Sequence, residues 1–193
     1  SDNADKKITP ATIEDAFKKA GFVIAANNDM NAPFMRDFKE TSFDVYNLAV
    51  VFRKDTALAL AGEYPEIGLF TPMSMSIWTK KGSKTISISS LSTEAMAEIM
   101  GVPADDAELV AYGKLVQETL RAALPNAKEE TVSYEMKQPE GPLVSTAQLA
   151  MDPDGDWEEI KEEFQSAFEQ ALIPAMFINA GFNDLNYDIE ESG

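Results

Sequence analysis

The sequence predicts an α+β protein, with an antiparallel or mixed sheet packed by helices and a helical C-terminal extension. Two segments, 73–78 and 85–89, alternate with period two, which is typical of half-buried strands. Two later segments, 109–123 and 157–172, repeat apolar residues at i, i+3 and i+4, which is typical of amphipathic helices. The chain has 193 residues, 45% of them apolar, so it is long enough to bury a sizeable core.

A helix and a strand are predicted at the start of the chain. Thr9 and Pro10 form a helix start signal, and Gly21 ends the helix. The apolar run Phe22–Ala26 then predicts a strand. The next segment, Met30–Thr41, has no clear period, so it is predicted to be irregular.

The middle of the chain contains further predicted strands. Phe43–Phe52 is rich in Val, Phe and Tyr, which favours a strand at the centre of the sheet with both faces covered. Asp55 is placed to cap a helix over Thr56–Glu63. The alternating segments 73–78 and 85–89 predict a hairpin. In its first strand Met73, Met75 and Ile77 share the buried face, whereas Ser74, Ser76 and Trp78 share the other.

Helices dominate the second half of the chain. Ser92 or Thr93 caps a short helix that runs to Met100, and Asp105-Asp106 begins a longer one. A short strand is predicted over Thr131–Met136. The apolar stripes of the longer helix and of the last helix are Leu109, Tyr112, Val116, Leu120 and Ala123, and Trp157, Ile160, Phe164, Phe168 and Leu172.

The chain is strongly acidic, with 33 Asp and Glu against 16 Lys and Arg and a formal net charge of -17. Such a charge repels phosphates and anionic lipid headgroups, so neither nucleic acid nor bare membrane is expected as a partner. No membrane span is expected either, since the longest apolar stretch, Ala171–Ile178, is interrupted by Pro174. The polar, acidic start of the sequence favours a periplasmic or secreted protein over a cytoplasmic one.

The chain contains no Cys and no His. This composition excludes zinc sites of the usual Cys/His kind, thiol chemistry, Ser-His-Asp triads and His acid/base catalysis. Carboxylate, Lys, Tyr, Ser/Thr and Met chemistry remain available.

The segment Glu63–Pro72 reads Glu-Tyr-Pro-Glu-Ile-Gly-Leu-Phe-Thr-Pro and leads into the alternating run 73–78. This Pro-Glu-Ile-Gly-x-x-x-Pro turn before a core strand resembles the bacterial family called domain of unknown function 302. The resemblance covers residues 8–102 and implies a compact α+β domain that is often dimeric. Residues 1–7 are then an N-terminal tail, and residues 103–193 a C-terminal extension packed on the same domain. Some relatives have Cys at the position of Met73, so a thiol role does not transfer.

The same turn contains the first candidate site. Gly68, between Pro65 and Pro72, favours a stiff turn that needs a glycine conformation. One interpretation is a ligand pocket edged by five residues, Glu66, Pro72, Met73, Met75 and Trp78. The favoured alternative is a corner that shapes the fold, with Met73 and Met75 in the core, because methionine commonly fills core gaps.

A second candidate site lies near the last helix. The segment Asp152-Pro153-Asp154-Gly155-Asp156 resembles the start of a calcium loop, which makes Asp152, Asp154 and Asp156 candidate metal ligands. Trp157 stands where such a loop needs Gly. The favoured alternative is a turn in which Asp156 caps the last helix.

These observations favour a non-enzymatic binding or interaction protein that self-associates or binds a protein partner. The alternative is a carboxylate-based enzyme or a carrier of a cation or small molecule, which would contain a buried group of acids with perturbed titration. A third possibility, a structural subunit of a larger assembly, would leave an apolar patch exposed on the isolated chain. The sequence identifies neither a ligand nor a cofactor.

Overall fold

Four antiparallel strands form one sheet in the order β1-β2-β3-β4 in the computed structural model, which describes residues 1–130, 140–141 and 156–172. The strands are β1 (Val23–Asp29), β2 (Phe43–Phe52), β3 (Met73–Lys80) and β4 (Ser87–Ser89). The predicted α+β class, the hairpin and the central place of β2 are confirmed. The predicted strand over 131–136 lies outside the described residues.

The helices alternate with the strands and then follow them. They are α1 (Pro10–Lys19), α2 (Asn31–Phe38), α3 (Lys54–Ala61), α4 (Thr93–Met100), α5 (Ala107–Ala123) and α6 (Trp157–Leu172). A 3-10 helix, Pro65–Leu69, precedes β3. The chain divides into two compact units, Ser1–Val144 and Ser145–Gly193. In the second unit Asp156 Oδ1 accepts a hydrogen bond from the Glu159 backbone N–H at 3.3 Å, so the predicted cap of α6 is confirmed.

The buried core of the first unit lies against one face of the sheet. On β3, Met73, Met75 and Ile77 point into it, as the alternation predicts. The stripe of α5 faces the same core, although Leu120 at its edge is only half-buried. The other core residues that the helices contribute include Ile13, Phe17, Leu60, Met96 and Ala97.

The opposite face of the sheet, called the open face here, is defined by the strand register. Tyr46, Leu48 and Val50 of β2 pair with Trp78, Ser76 and Ser74 of β3, and paired residues share a face. All of these side chains except exposed Ser74 are half-buried. β2 therefore has a buried core face and a half-exposed open face. The sequence predicted that both faces would be covered.

The segment 30–41, predicted to be irregular, contains helix α2. The N-cap residue Met30 makes no side-chain hydrogen bond, but the preceding Asp29 Oδ1 accepts from the Asn31 N–H at 2.8 Å. Lys39 ends the helix in the left-handed conformation. The helix packs on the sheet through Phe34, whose ring stacks on that of Tyr46 with the centroids 5.6 Å apart. A tertiary contact therefore adds to a weak local signal in stabilising this helix, and the sequence prediction was wrong.

Arg53 connects the end of α1 with the start of α3. Its Nη1 donates to the Ala20 carbonyl at 2.6 Å, and its Nε donates to Asp55 Oδ1 at 2.8 Å. Arg53 is the N-cap of α3, whereas Asp55, the predicted cap, lies in the first turn. The hydrogen bond from Arg53 lowers the pKa of Asp55 to about 2.

The first residues of the chain lie beside the β3–β4 connection. Asp2 forms an antiparallel bridge with Thr85, and the Asn3 N–H donates to the Lys84 carbonyl at 2.6 Å. Strand β4 is correspondingly shorter than predicted, because Thr85 and Ile86 pair with the N-terminal segment.

Replacing Gly113 of α5 with Ala is expected to lower the free energy of unfolding by about 1–2 kcal/mol. An added Cβ would lie 2.5 Å from Thr93 Cγ2 and 2.8 Å from Thr93 Oγ1 in α4, which is too close for unstrained packing. Urea unfolding measures the effect. The double variant Thr93→Ala, Gly113→Ala should recover most of the lost stability.

Gly62→Ala is the matched control for this substitution. Gly62 ends α3 with φ of -65°. The atom nearest to a Cβ added at this position would be the Leu58 carbonyl oxygen, 3.8 Å away. This variant should be as stable as the wild type or slightly more stable. Equal effects of Gly62→Ala and Gly113→Ala would contradict the proposed close packing of α4 on α5.

Candidate functional site

The structure separates the five residues of the predicted ligand pocket. Met73 and Met75 are 3% and 1% exposed and lie in the core. Trp78 lies on the open face, on the other side of the same strand. Glu66 and Pro72 are half-buried in the connection that precedes the strand. The five side chains therefore do not line one cleft, and the position of Met73 and Met75 agrees with the alternative of a corner that shapes the fold.

Hydrogen bonds within that corner account for its shape. The Ile67 carbonyl accepts from both the N–H and the Oγ1 of Thr71, each at 3.0 Å, and Thr71 is buried. Tyr64 Oη donates to Asp106 Oδ2 at 3.3 Å, which links the corner to the start of α5. Gly68 does not have the positive φ that the sequence predicted, and an added Cβ there would meet nothing within 4 Å. The prediction that position 68 requires a glycine conformation was therefore wrong.

Five aromatic rings form a continuous array along the open face and α2. We call Phe34, Phe38, Phe43, Tyr46 and Trp78 the aromatic array. Phe43 stacks on Tyr46 at 4.7 Å and Tyr46 on Phe34 at 5.6 Å, between centroids. Phe38 lies 6.4 Å from Phe34, and Trp78 lies edge-on to Phe43, also at 6.4 Å. Such a surface offers apolar area and ring faces for contact with a partner.

The α2 end of the array is its most exposed part. Phe38 is 70% exposed and the neighbouring Met35 is 48% exposed. Charged residues of both signs lie beside them, because Arg36 pairs with Asp37 at 2.7 Å and Lys39 donates to the Arg36 carbonyl at 2.6 Å. At the other end, Lys80 Nζ lies 5.8 Å from the centre of the Trp78 ring.

A small cleft lies between α1 and the core face of the sheet. The cleft is partly open to solvent and has room for about one water molecule. Glu14 and Asn27 stand at its edge, where Asn27 Nδ2 donates to Glu14 Oε2 at 3.0 Å. Lys18 donates to Glu14 Oε1 at 2.6 Å, and this bond is the main cause of the lowered pKa of Glu14. The cleft is too small for an organic substrate.

The predicted metal site falls largely outside the described residues, since Asp152 and Asp154 lie there. Asp156 is described and caps α6. Within residues 1–130, 140–141 and 156–172, no three Asp, Glu, His or Cys side chains are placed to hold a metal ion together. None of the helices in these ranges is long and apolar enough to cross a lipid bilayer.

Comparison with known proteins identifies the family. The family model of domain of unknown function DUF302 matches residues 3–127. The chain belongs to the DUF302 family. The match covers the whole sheet and α1 to α5, so it extends beyond the segment 8–102 on which the sequence resemblance was noticed. No curated protein matches the sequence.

A solved structure shows the same fold. The crystal structure of an uncharacterized conserved DUF302 protein from Bacillus stearothermophilus is 16% identical and has a TM-score of 0.53. The match covers 63% of this chain and 91% of that one. At this identity the likeness concerns the fold alone.

The sequence did not predict that the five rings of the aromatic array lie together in this DUF302 chain. Phe43 and Tyr46 are three residues apart, so strict alternation would place them on opposite faces of β2. A β-bulge between Phe43 and Val45 brings both to the open face. The i, i+4 spacing of Phe34 and Phe38 was the one signal in the sequence that could have indicated the α2 end.

Two tyrosines of this DUF302 chain have strongly raised pKa values. Burial raises the pKa of Tyr112 to about 12, and its Oη has no hydrogen-bond partner among the described residues. Desolvation, followed by the hydrogen bond with Glu63 and the charges of Glu63 and Asp106, raises the pKa of Tyr64 to about 12. Tyr112 lies inside the core, beside Phe22, with the ring centroids 6.4 Å apart.

Replacing Tyr112 with Phe is expected to stabilise the protein by about 1 kcal/mol at neutral pH, because a buried hydroxyl without a partner is removed. The substitution should also reduce the loss of stability at high pH. Unfolded Tyr112 ionises near the ordinary tyrosine pKa of 10.0 and folded Tyr112 near 12, so stability falls as the pH rises through this window. Urea unfolding at about pH 7 and about pH 11 measures both effects.

Tyr64→Phe is the control, because the Tyr64 hydroxyl has a partner in Asp106. This variant should be equal to the wild type or less stable at neutral pH. A Tyr112→Phe variant less stable than the wild type would show that the hydroxyl is hydrogen-bonded after all.

Proposed function

We propose that this DUF302 protein is a non-enzymatic binding protein that self-associates through the α2 end of the aromatic array. The observation that carries the proposal is the exposure of Met35 and Phe38, 48% and 70%, at the end of a continuous set of rings. Exposed apolar side chains that lie next to each other favour a contact site more than single, scattered ones do.

The energetic argument rests on the two exposed side chains. Burying a fully exposed Phe or Met side chain is worth about 1.5–3 kcal/mol, and the part of this that Phe38 and Met35 can contribute scales with their exposed fractions, 70% and 48%. Phe38 contacts Phe34, which stacks on Tyr46, so the sheet helps to hold the Phe38 side chain in place. The Phe38 side chain therefore loses less conformational freedom when a partner binds. A preorganised aromatic side chain with this exposure is a typical centre of a protein interface.

The charges around this patch suit a second copy of the chain as the partner. The net charge of -17 opposes the association of two copies at long range. The charged residues around Met35 and Phe38 nevertheless have both signs, since Arg36 and Lys39 alternate with Asp37 and Glu40. In a twofold contact each patch meets itself, so opposite charges can face each other.

The enzyme or carrier alternative has less support. Each carboxyl group of the described residues whose pKa shifts has a lowered pKa, in most cases through a nearby Lys or Arg. A buried group of acids with raised pKa values would have favoured catalysis. Location in the periplasm or outside the cell remains a prediction, which fractionation of the source cells would test.

The double variant Met35→Ser, Phe38→Ser is expected to raise the dissociation constant of the dimer by about tenfold or more. Sedimentation velocity over a range of protein concentrations measures it. The wild type should form a dimer that dissociates on dilution, whereas the variant should be monomeric at the same concentrations.

Leu91→Ser, Val110→Ser is the matched control. Leu91 and Val110 are 46% and 49% exposed and lie outside the aromatic array, before α4 and on α5. The control should dimerise as the wild type does. A wild type that is monomeric at every concentration, or equal weakening in both double variants, would contradict self-association through α2.

A further inference from the structure

The other end of the aromatic array has a feature that self-association does not explain. Lys80 Nζ lies over the ring of Trp78, 5.8 Å from its centre. The Phe43 ring stands nearly perpendicular to that ring, at 72°, with the centroids 6.4 Å apart. The chain's own ammonium group thus occupies a position over an indole next to a second aromatic wall.

The position of Lys80 shows what this surface attracts. The face of an aromatic ring is negative and attracts cations, and indole does so most strongly. Lys80 is exposed, and within the described residues it forms no ion pair with a carboxylate. Its side chain is therefore free to leave the ring when another cation takes its place.

The net charge of the whole chain favours an external cation over an anion, whereas Lys80, Lys81 and Lys84 make the end of β3 locally basic. The net charge of -17 raises the concentration of cations near the protein surface. Asp44 adds a negative charge at this end of the sheet, where its Oδ2 accepts a hydrogen bond from the Gly82 N–H at 2.9 Å. Among cations, a quaternary ammonium group fits best, because it is weakly hydrated and its methyl groups pack on aromatic rings.

We propose that the Trp78 face, with Phe43 as its second wall, binds quaternary ammonium compounds, and that Lys80 is the resident cation that such a ligand displaces. All the residues of this site belong to one chain. The site therefore does not depend on self-association through Met35 and Phe38.

Choline is the probe for this site. Its addition should shift the indole N–H signal of Trp78 in a proton–nitrogen correlation spectrum in a saturable way, with a Kd on the order of 1 mM or below. The signal is assigned by its disappearance in Trp78→Leu. Ionic strength is held constant with sodium chloride. The neutral isostere, in which carbon replaces the quaternary nitrogen, should bind about tenfold more weakly or not at all.

A comparison of Lys80→Gln with Lys81→Gln separates the effect of removing the ammonium group over the ring from the effect of the change in net charge. Both remove one positive charge, but only Lys80 lies over the ring. Lys80→Gln should tighten choline binding about threefold or more, because the resident cation is gone, and Lys81→Gln should tighten it less. Trp78→Leu should abolish binding, as seen in saturation transfer to the choline methyl signal.

Three results would overturn the proposal: no saturable shift in either the wild type or Lys80→Gln, equal binding of the neutral isostere, or equal tightening in both lysine variants. The titration is repeated in Met35→Ser, Phe38→Ser, where the Kd should stay within about twofold of the wild-type value. If this variant no longer dimerises but still binds choline, the cation site is independent of self-association. The two proposals can therefore fail separately.

Discussion

The alternation of side chains along β3 is the constraint on which both faces of the sheet depend. Met73, Met75 and Ile77 are buried, and the geometry of a strand then directs Ser74, Ser76 and Trp78 away from the core. A slip of one residue would bury Trp78 and expose the methionines. Pairing with β2 on one side and β4 on the other holds this register, so the core and the open face are formed together.

Elements stabilised by local signals could be predicted from the sequence. Helices α4, α5 and α6 begin after Ser92, Asp106 and Asp156, whose side chains each accept a backbone N–H. The N-cap of helix α2, Met30, has no side chain that could accept such a bond, and the contact of the helix with Tyr46 joins segments that are distant in sequence. Periodicity within Met30–Thr41 could not reveal a contact with a strand that comes later in the chain.

The candidate site was harder to predict than the fold, for two physical reasons. The predicted pocket combined Met73 and Met75 with Trp78, although period two places them on opposite faces of one strand. The aromatic array, in contrast, depends on a β-bulge that brings Phe43 and Tyr46 to the same face. A single inserted residue changes which side chains meet, and no signal in this sequence marks its position.

The acidity of the chain affects both of the contacts proposed for the aromatic array. Two copies with a net charge of -17 repel each other, so a contact between them has to be stabilised by buried apolar area. The same charge favours cations near the ring face of Trp78. Salt screens both effects, which strengthens a contact between copies and weakens the attraction of a cation. If both proposals hold, the two ends of the aromatic array would respond to the charge of the protein in opposite ways.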